Sequence, residues 1–325
     1  MKVLVTGGTG QVGSEVVRQL VERGDDVRCV VRDLGRTPLL DGVEAERVQG
    51  DITDCDSLAS AMAGCEAVIH LAGMISYLAK HRARQEQVNV GGTRNVLDAA
   101  AACGVRRVVY TSSMATLGYV EGDEEGDEET PYNWGRFDLG YMETKRDAEA
   151  LVLGDGRLEG VAVNPGIVFG ARDIARNGGR MLFPMMNGGP PAYPCGATTC
   201  ANLSDVAAGH LLALDRGRQG RRYVLGGTTG SFGEIFEILA RVVGTEPPRR
   251  SAGPMLLWLV GASHELAALF GSGEPPATRA LGQIASRNRR YSSARAIKEL
   301  GYAPQPLEIG VRACLDWYRA EGIIA

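Results

Sequence analysis

The stretch Lys2–Gly13, KVLVTGGTGQVG, joins a buried-strand pattern to a glycine-spaced turn and then to a helix, and few folds accommodate that junction. Val3, Leu4 and Val5 are apolar and mostly β-branched, as suits a parallel strand covered on both faces. Gly7, Gly10 and Gly13 follow with GxxGxxG spacing. Gly7 suits the tight turn out of the strand, Gly10 lets the backbone approach a pyrophosphate, and Gly13 lets the new helix pack close to the sheet. The helix, with Val12, Val16, Val17 and Leu20 at helical spacing, offers free N–H groups and a positive dipole end to phosphates. Gly7, Thr9, Gly10, Gln11, Val12 and Gly13 are therefore assigned to a dinucleotide cofactor.

Beyond this junction, strand patterns alternate with helical ones, which predicts an α/β fold with a doubly wound parallel sheet of Rossmann type. Strands are expected at 27–31, 47–49, 66–71, 107–111 and 222–225, with another in 161–170 that runs into a Pro-Gly turn, and a long helix at 85–102. Thr53 or Asp54 is placed to cap a helix over 55–63, and Leu203, Ser204 and Asp205 to cap one over 206–214. His70, within a strand, reads as a satisfied core histidine. Helices near 232–243, 254–270, 293–300 and 307–318 predict a smaller, mainly helical substrate lobe. The expected division is 1–165 plus 204–228 for the dinucleotide and 166–203 plus 229–325 for the substrate.

Composition narrows the function. A net charge of −4 offers no general attraction for nucleic acid or an anionic membrane. Seven cysteines form no CxxC pair, and Cys195 and Cys200, the nearest two, are expected to be free thiols in a reducing cytoplasm. Met255–Phe270 is apolar but carries His264 and Glu265 in its middle and is too short to span a bilayer. It is expected to be an amphipathic helix, with a surface anchor as the alternative and stable membrane insertion excluded. No leader precedes the first strand, so secretion is not expected. The run Glu121–Glu129, seven carboxylates broken only by glycine, should be a mobile solvated loop.

Three positions carry specific chemistry. Arg32, just past the second strand, can pair with the 2′-phosphate of NADP where an acid would read the ribose of NAD, and Asp33 supplies an acid one place late. NADP is therefore expected, with NAD the alternative. Ser112 and Ser113 stand at the end of the fifth strand. In YMETK, Tyr141 and Lys145 are an i, i+4 pair on one helix face, where a positive charge would lower the phenol's pKa and fit it to exchange a proton with a substrate oxygen.

Together TGGTGQVG, the two serines, YMETK and NPGIVFG at 164–170 resemble the extended short-chain dehydrogenase/reductase family. VVRD at 30–33 and the tail SSARAIKELGY are similar to its dihydroflavonol-reductase-like branch. The resemblance implies that Asp51 meets the adenine amino group, with Ile52 beside the ring. It implies close backbone approach at Leu71, Ala72 and Gly73, and a nicotinamide contact from the segment of Pro165 and Val168. Ser113, with Ser112 as fallback, would bond the substrate oxygen, and Lys145 would also bind the ribose. Asn89 would hold backbone or a water near the site, or else be a surface amide. A homodimer is usual for such proteins. The expected function is an NADP-dependent oxidoreductase interconverting a ketone and a secondary alcohol on a small, mainly apolar substrate. A nucleotide-sugar epimerase or dehydratase with an internally recycled cofactor, and a non-catalytic NADP-sensing regulator, are the alternatives.

Overall fold

The structure is a computed structural model that describes residues 1–268 and 275–324. Seven parallel strands form the central sheet: β1 (Lys2–Thr6), β2 (Asp26–Val31), β3 (Glu46–Gln49), β4 (Ala67–His70), β5 (Arg107–Thr111), β6 (Glu159–Pro165) and β10 (Arg222–Leu225). Their order is β10-β6-β5-β4-β1-β2-β3, so it reverses between β1 and β4. In an open parallel sheet such a reversal leaves a crevice outside the carboxyl ends of the strands. A second sheet, β7 (Ile167–Phe169), β9 (Ala197–Asn202) and β11 (Thr228–Ser231), and a short pair, β8 (Tyr193–Pro194) with β12 (Ser251–Ala252), stand apart from it.

Strand periodicity divides the core. Val3 and Val5 pack one face of the sheet with α1 (Gln11–Glu22), while Leu4 packs the other with α2 (Cys55–Met62). The first face is completed by α7 (Leu203–Arg216) and α11 (Ala294–Leu300). The second is completed by α4 (Gly92–Ala102) and α5 (Gly140–Gly154), with α3 (Arg82–Gln85) leading in. A separate core joins β7 and β9 to α6 (Gly179–Met186), α8 (Phe232–Val243) and α12 (Leu307–Ala320). The chain is completed by α9 (Pro254–Ala268) and α10 (Arg279–Ala285).

Several expectations are corrected. The long helix begins at Arg82, and Glu86–Gly91 winds as a π-helix, a local widening often found at functional sites. β6 ends at Pro165, at the Pro-Gly turn expected there, but the residues beyond it form a further strand, β7, which leaves for the second sheet and pairs with β9. α6 forms within the glycine- and proline-rich stretch 178–194 and carries Pro184 inside it. The helix expected to be capped by residues 203–205 starts at Leu203 itself. Asp205 lies in its first turn, accepting hydrogen bonds from Asn202 Nδ2 at 3.0 Å and from the Gln305 N–H at 2.8 Å.

The acidic run is pinned rather than loose. Glu128 is buried and accepts from the Val224 N–H at 2.8 Å, Glu129 pairs with Arg295 at 2.6 Å, and Asp123 pairs with Arg290 at 3.1 Å. Arginines distant in sequence neutralise a charge density that local reading takes as self-repelling. Nor is α9 amphipathic: Met255, Leu256, Trp258, Leu259, Val260 and Leu266 are exposed, and only Gly261 of the helix is buried. Residues 269 and 270, the expected end of that helix, lie outside the described residues. All seven cysteines are free, and no helix among the described residues is long and apolar enough to cross a membrane.

The glycine turn sets a stability prediction. A Cβ at Gly13 would lie 2.1 Å from the Gly7 carbonyl oxygen, whereas one at Gly10 would meet only that oxygen, at 3.4 Å. Gly13→Ala should lower unfolding free energy by about 1–3 kcal/mol, and Gly10→Ala should stay within about 0.5 kcal/mol of the parent. Chemical denaturation of both variants checks this, and equal losses would contradict it.

Candidate active site

The exits of β1 and β4 touch. Gly7 has φ +74°, and a Cβ there would lie 2.6 Å from the Ala72 nitrogen, so the turn brings Leu71, Ala72 and Gly73 against the glycine loop. α1 starts directly after Gly10 and has no acidic residue in its first turn, leaving first-turn N–H groups for an anion. Thr9 and Gly10 are exposed. Gln11 and Val12 have other duties. The Gln11 amide donates to the Gly170 and Ala171 carbonyls at 3.1 Å each, and Val12 packs on the core.

Arg32 is exposed just beyond β2 and pairs with no carboxylate among the described residues. Asp51 accepts from the Thr53 N–H and hydroxyl, both at 2.8 Å. Burial works to raise its pKa, but those bonds and the charges of Arg32 and Arg84 hold the carboxyl below its ordinary range. Ile52 is buried against Gly92. Pro165 ends β6, and Val168 pairs with Ala201 in the second sheet.

Helix α5 begins at Gly140, which puts Tyr141 in its first turn and Lys145 one turn on, facing the same way. Both are buried, at 8% and 5% exposure. The Lys145 ammonium donates to the Thr111 carbonyl at 2.6 Å and lies 4.3 Å from the centre of the Tyr110 ring. A Cβ on Gly73 would be 3.7 Å from it, so the end of β4 is also near. Ser113 is the serine beside Tyr141, and its hydroxyl accepts from the Ala115 N–H at 3.1 Å. Ser112 points elsewhere, with a buried hydroxyl that has no hydrogen-bond partner.

Burial pushes the Tyr141 phenol well above its ordinary pKa. Tyr77 adds to the rise, while Ser113 and Arg289 oppose it. Burial also brings Lys145 down to about 7, against the pull of Glu149. The expectation that Lys145 lowers the phenol is therefore not met: desolvation raises it, and the groups that oppose the rise are Ser113 and Arg289. Tyr141 is a proton-bearing phenol at neutral pH.

A residue that sequence reading missed ties these groups together. Glu149, 3% exposed, lies one turn beyond Lys145. Its Oε2 accepts from Asn164 Nδ2 at 2.6 Å and from the Thr116 hydroxyl at 3.1 Å, and its Oε1 from Arg222 at 3.0 Å. Asn164 Nδ2 also donates to the Ser113 carbonyl at 3.1 Å. Three donors offset the cost of burying the carboxylate and fix α5, β6, β10 and the Ser113 turn relative to one another. The i, i+4, i+8 spacing of Tyr141, Lys145 and Glu149 was the available signal. Tyr77, edge-on to Tyr141 at 5.6 Å, and Arg289 had no comparable one.

Asn89 is buried on the π-helical turn and holds backbone: its Oδ1 accepts from the Met74 N–H at 2.7 Å and its Nδ2 donates to Thr144 at 3.0 Å. His70 is a core residue, as expected, bonded to Thr6 at 2.6 Å and Thr93 at 3.0 Å, and burial lowers its pKa to about 3.

Comparison with known proteins agrees with this architecture. The model of the 3-beta hydroxysteroid dehydrogenase/isomerase family matches residues 4–179. A protein of Synechocystis sp., provisionally named dihydroflavonol 4-reductase, is 33% identical over 98% of this chain and 95% of its own. Sterol demethylase protein B of Methylococcus capsulatus is 31% identical over the whole of both chains. Among solved structures, gox2253 superposes with a TM-score of 0.86 at 34% identity, covering 99% of each chain.

The chain has four lysines, so its side-chain amines can be followed individually by NMR of [13Cε]lysine-labelled protein. Lys145 should be charged below and neutral above a midpoint of about 7. Because Glu149 favours the charged form, Glu149→Gln should move that midpoint to lower pH. A Lys145 midpoint in the ordinary lysine range, or one that Glu149→Gln leaves in place, would contradict the electrostatic account.

Proposed function

This chain belongs to the 3-beta hydroxysteroid dehydrogenase/isomerase family of extended short-chain dehydrogenases/reductases, and on that premise we propose that it interconverts a ketone and a secondary alcohol with NADP. The observation that carries the reading is the convergence of Ser113, Tyr141 and Lys145 beside Gly73, at the carboxyl edge where the strand order reverses. An oxidoreductase needs that juxtaposition of proton donor and cofactor crevice, whereas a binding module does not.

The residues fit a nicotinamide dinucleotide. The first turn of α1 has no carboxylate to repel a pyrophosphate, Gly10 leaves its approach open, and Arg32 is free to meet a 2′-phosphate. NAD remains the alternative cofactor. When bound, the cofactor supplies or takes the hydride. Every other task falls to the chain. Tyr141, held protonated by burial, donates a proton to the carbonyl oxygen in reduction and takes one back in oxidation. Ser113 holds the same oxygen by a hydrogen bond. Lys145, between the Thr111 carbonyl and Gly73, is placed to bond a ribose.

A cavity at Tyr141 is lined by Tyr77, Leu78, Leu139 and Ala280 together with Ser76, Arg82, Gln85 and Asp138, so a mainly apolar substrate would also meet polar groups there. The Methylococcus relative, named for a sterol, is consistent with such a substrate. In this reading residues 1–165 and 204–228 serve the cofactor, and 166–203 and 229–325 the substrate.

Two variants test the assignment. Arg32→Asp should weaken NADP binding far more than NAD binding, since it replaces attraction to the 2′-phosphate by repulsion. Paired cofactor titrations decide it, with equal losses counting against Arg32. Tyr141→Phe keeps the ring and removes the proton, so turnover should fall by about 10²-fold or more while NADPH affinity stays near the parent's. Turnover within a few-fold of the parent would leave Tyr141 a packing residue.

A further inference from the structure

His70 stands at the end of β4, in register with Thr6 at the end of β1, and Thr6, His70, Asn89 and Thr93 are all buried. The Thr6 hydroxyl lies 2.6 Å from His70 Nδ1, and the Thr93 hydroxyl 3.0 Å from Nε2. Each hydroxyl has one proton, which gives these contacts a direction. Thr93 donates its proton to the Asn89 carbonyl at 2.6 Å, so it accepts from the ring and Nε2 carries the hydrogen. In a neutral imidazole Nδ1 is then an acceptor. Thr6, which has no other acceptor among the described residues, donates to it. The Thr6 oxygen in turn accepts from the Ala72 N–H at 3.3 Å.

One directed chain therefore runs from the Ala72 N–H through Thr6, His70 and Thr93 to the Asn89 carbonyl. Burial lowers the ring's pKa to about 3, and Lys145 acts in the same direction, so the imidazole stays neutral at physiological pH. An imidazolium would donate from both nitrogens and turn the Thr6 proton away from the ring.

Both ends of the chain belong to the site. A Cβ on Gly7 would lie 2.6 Å from the Ala72 nitrogen, so the N–H that opens the chain sits against the glycine turn. At the other end Asn89 holds the Met74 N–H at 2.7 Å and carbonyl at 3.1 Å, and it reaches α5 through Thr144 at 3.0 Å, next to Lys145. A leucine at 70 would fill much of the same space but leave two buried hydroxyls short of a partner. We propose that His70 is a positioning residue, whose two ring nitrogens hold the exit of β4, as a wall of the cofactor crevice, in register with the π-helical turn and the helix that carries Tyr141 and Lys145. This rests on the reading of that crevice as a nicotinamide site. His70 itself contacts no reacting atom in this role.

The first test needs neither cofactor nor turnover. The full chain has four histidines, so 15N-histidine labelling gives few signals, and His70 is the one lost in His70→Gln. Long-range 1H–15N spectra should show the Nε2–H tautomer. Thr93→Val removes the acceptor of that hydrogen, so it should move the ring toward the Nδ1–H form. At the far end of the chain it should speed hydrogen exchange of the Ala72 amide by about tenfold. An Nδ1–H ring in the wild type, or an Ala72 amide indifferent to Thr93→Val, overturns the proposal. The second test titrates NADP into His70→Leu and His70→Gln, with circular dichroism confirming that each is folded. Glutamine again pairs one acceptor with one donor and should keep affinity within about threefold, whereas leucine should weaken it by about tenfold or more. A folded leucine variant that binds NADP as tightly as the parent overturns the positioning role. If that variant does not fold, the same titration of Thr93→Val decides, with a loss of about threefold expected and unchanged affinity counting against the proposal. Weakened binding in a protein that reduces no carbonyl compound supports the role of His70 and removes only the oxidoreductase reading.

Discussion

The Lys145 ammonium is buried between α5 and the end of β5, and its 2.6 Å hydrogen bond to the Thr111 carbonyl ties the helix that presents Tyr141 to the strand that leads into Ser113. A charge in such a place is costly unless it is bonded and balanced. Glu149 supplies the balance from one turn further along α5, and the donors that satisfy Glu149 come from Thr116, Asn164 and Arg222. The network that makes the lysine tolerable also fixes the Ser113 turn, because Asn164 bonds both Glu149 and the Ser113 carbonyl. Site geometry and local stability therefore depend on the same few side chains.

The sheet decides where this network stands relative to the glycine loop. With strand order reversing between β1 and β4, the chain leaves both strands in opposite directions and the exits share one crevice. Gly7 fits against Ala72 only because it has no side chain, and Gly73, next in line, comes close to both Asn89 and Lys145. A path of small residues thus leads from the α1 N-terminus to the buried amine. Asn89 reaches that path because the helix widens at Glu86–Gly91, turning its amide inward to hold the Met74 backbone.

Much of this was legible in the chain because its causes are local. Strand β1, the glycine turn and the start of α1 follow from residue types that fit one backbone path, and β5, β10 and α8 lie where their patterns put them. The i, i+4 spacing placed Tyr141 and Lys145 on one face. What was not legible depends on partners far along the chain. The acidic run reads as self-repelling until Arg290 and Arg295 are seen against it. α6 and β9 form around a core whose contributors lie as far away as α12. The direction of the Tyr141 shift could not be read either, since spacing places a lysine near the phenol but does not report the burial that raises it. Arg289 lies in the run RNRR, which looks like an ordinary charged surface until burial singles out one of its arginines.

The central claim is that hydride passes between an exchangeable nicotinamide cofactor and a substrate carbonyl held at Tyr141. The most direct measurement supplies the full chain with NADPH deuterated at both nicotinamide C4 positions and a carbonyl substrate, then locates the isotope by mass spectrometry. The account predicts deuterium on the carbinol carbon of the product, with one NADP released for each alcohol formed. Conversion of a substrate with no deuterium gained and no net cofactor consumed would instead show a self-recycling cycle and contradict the claim.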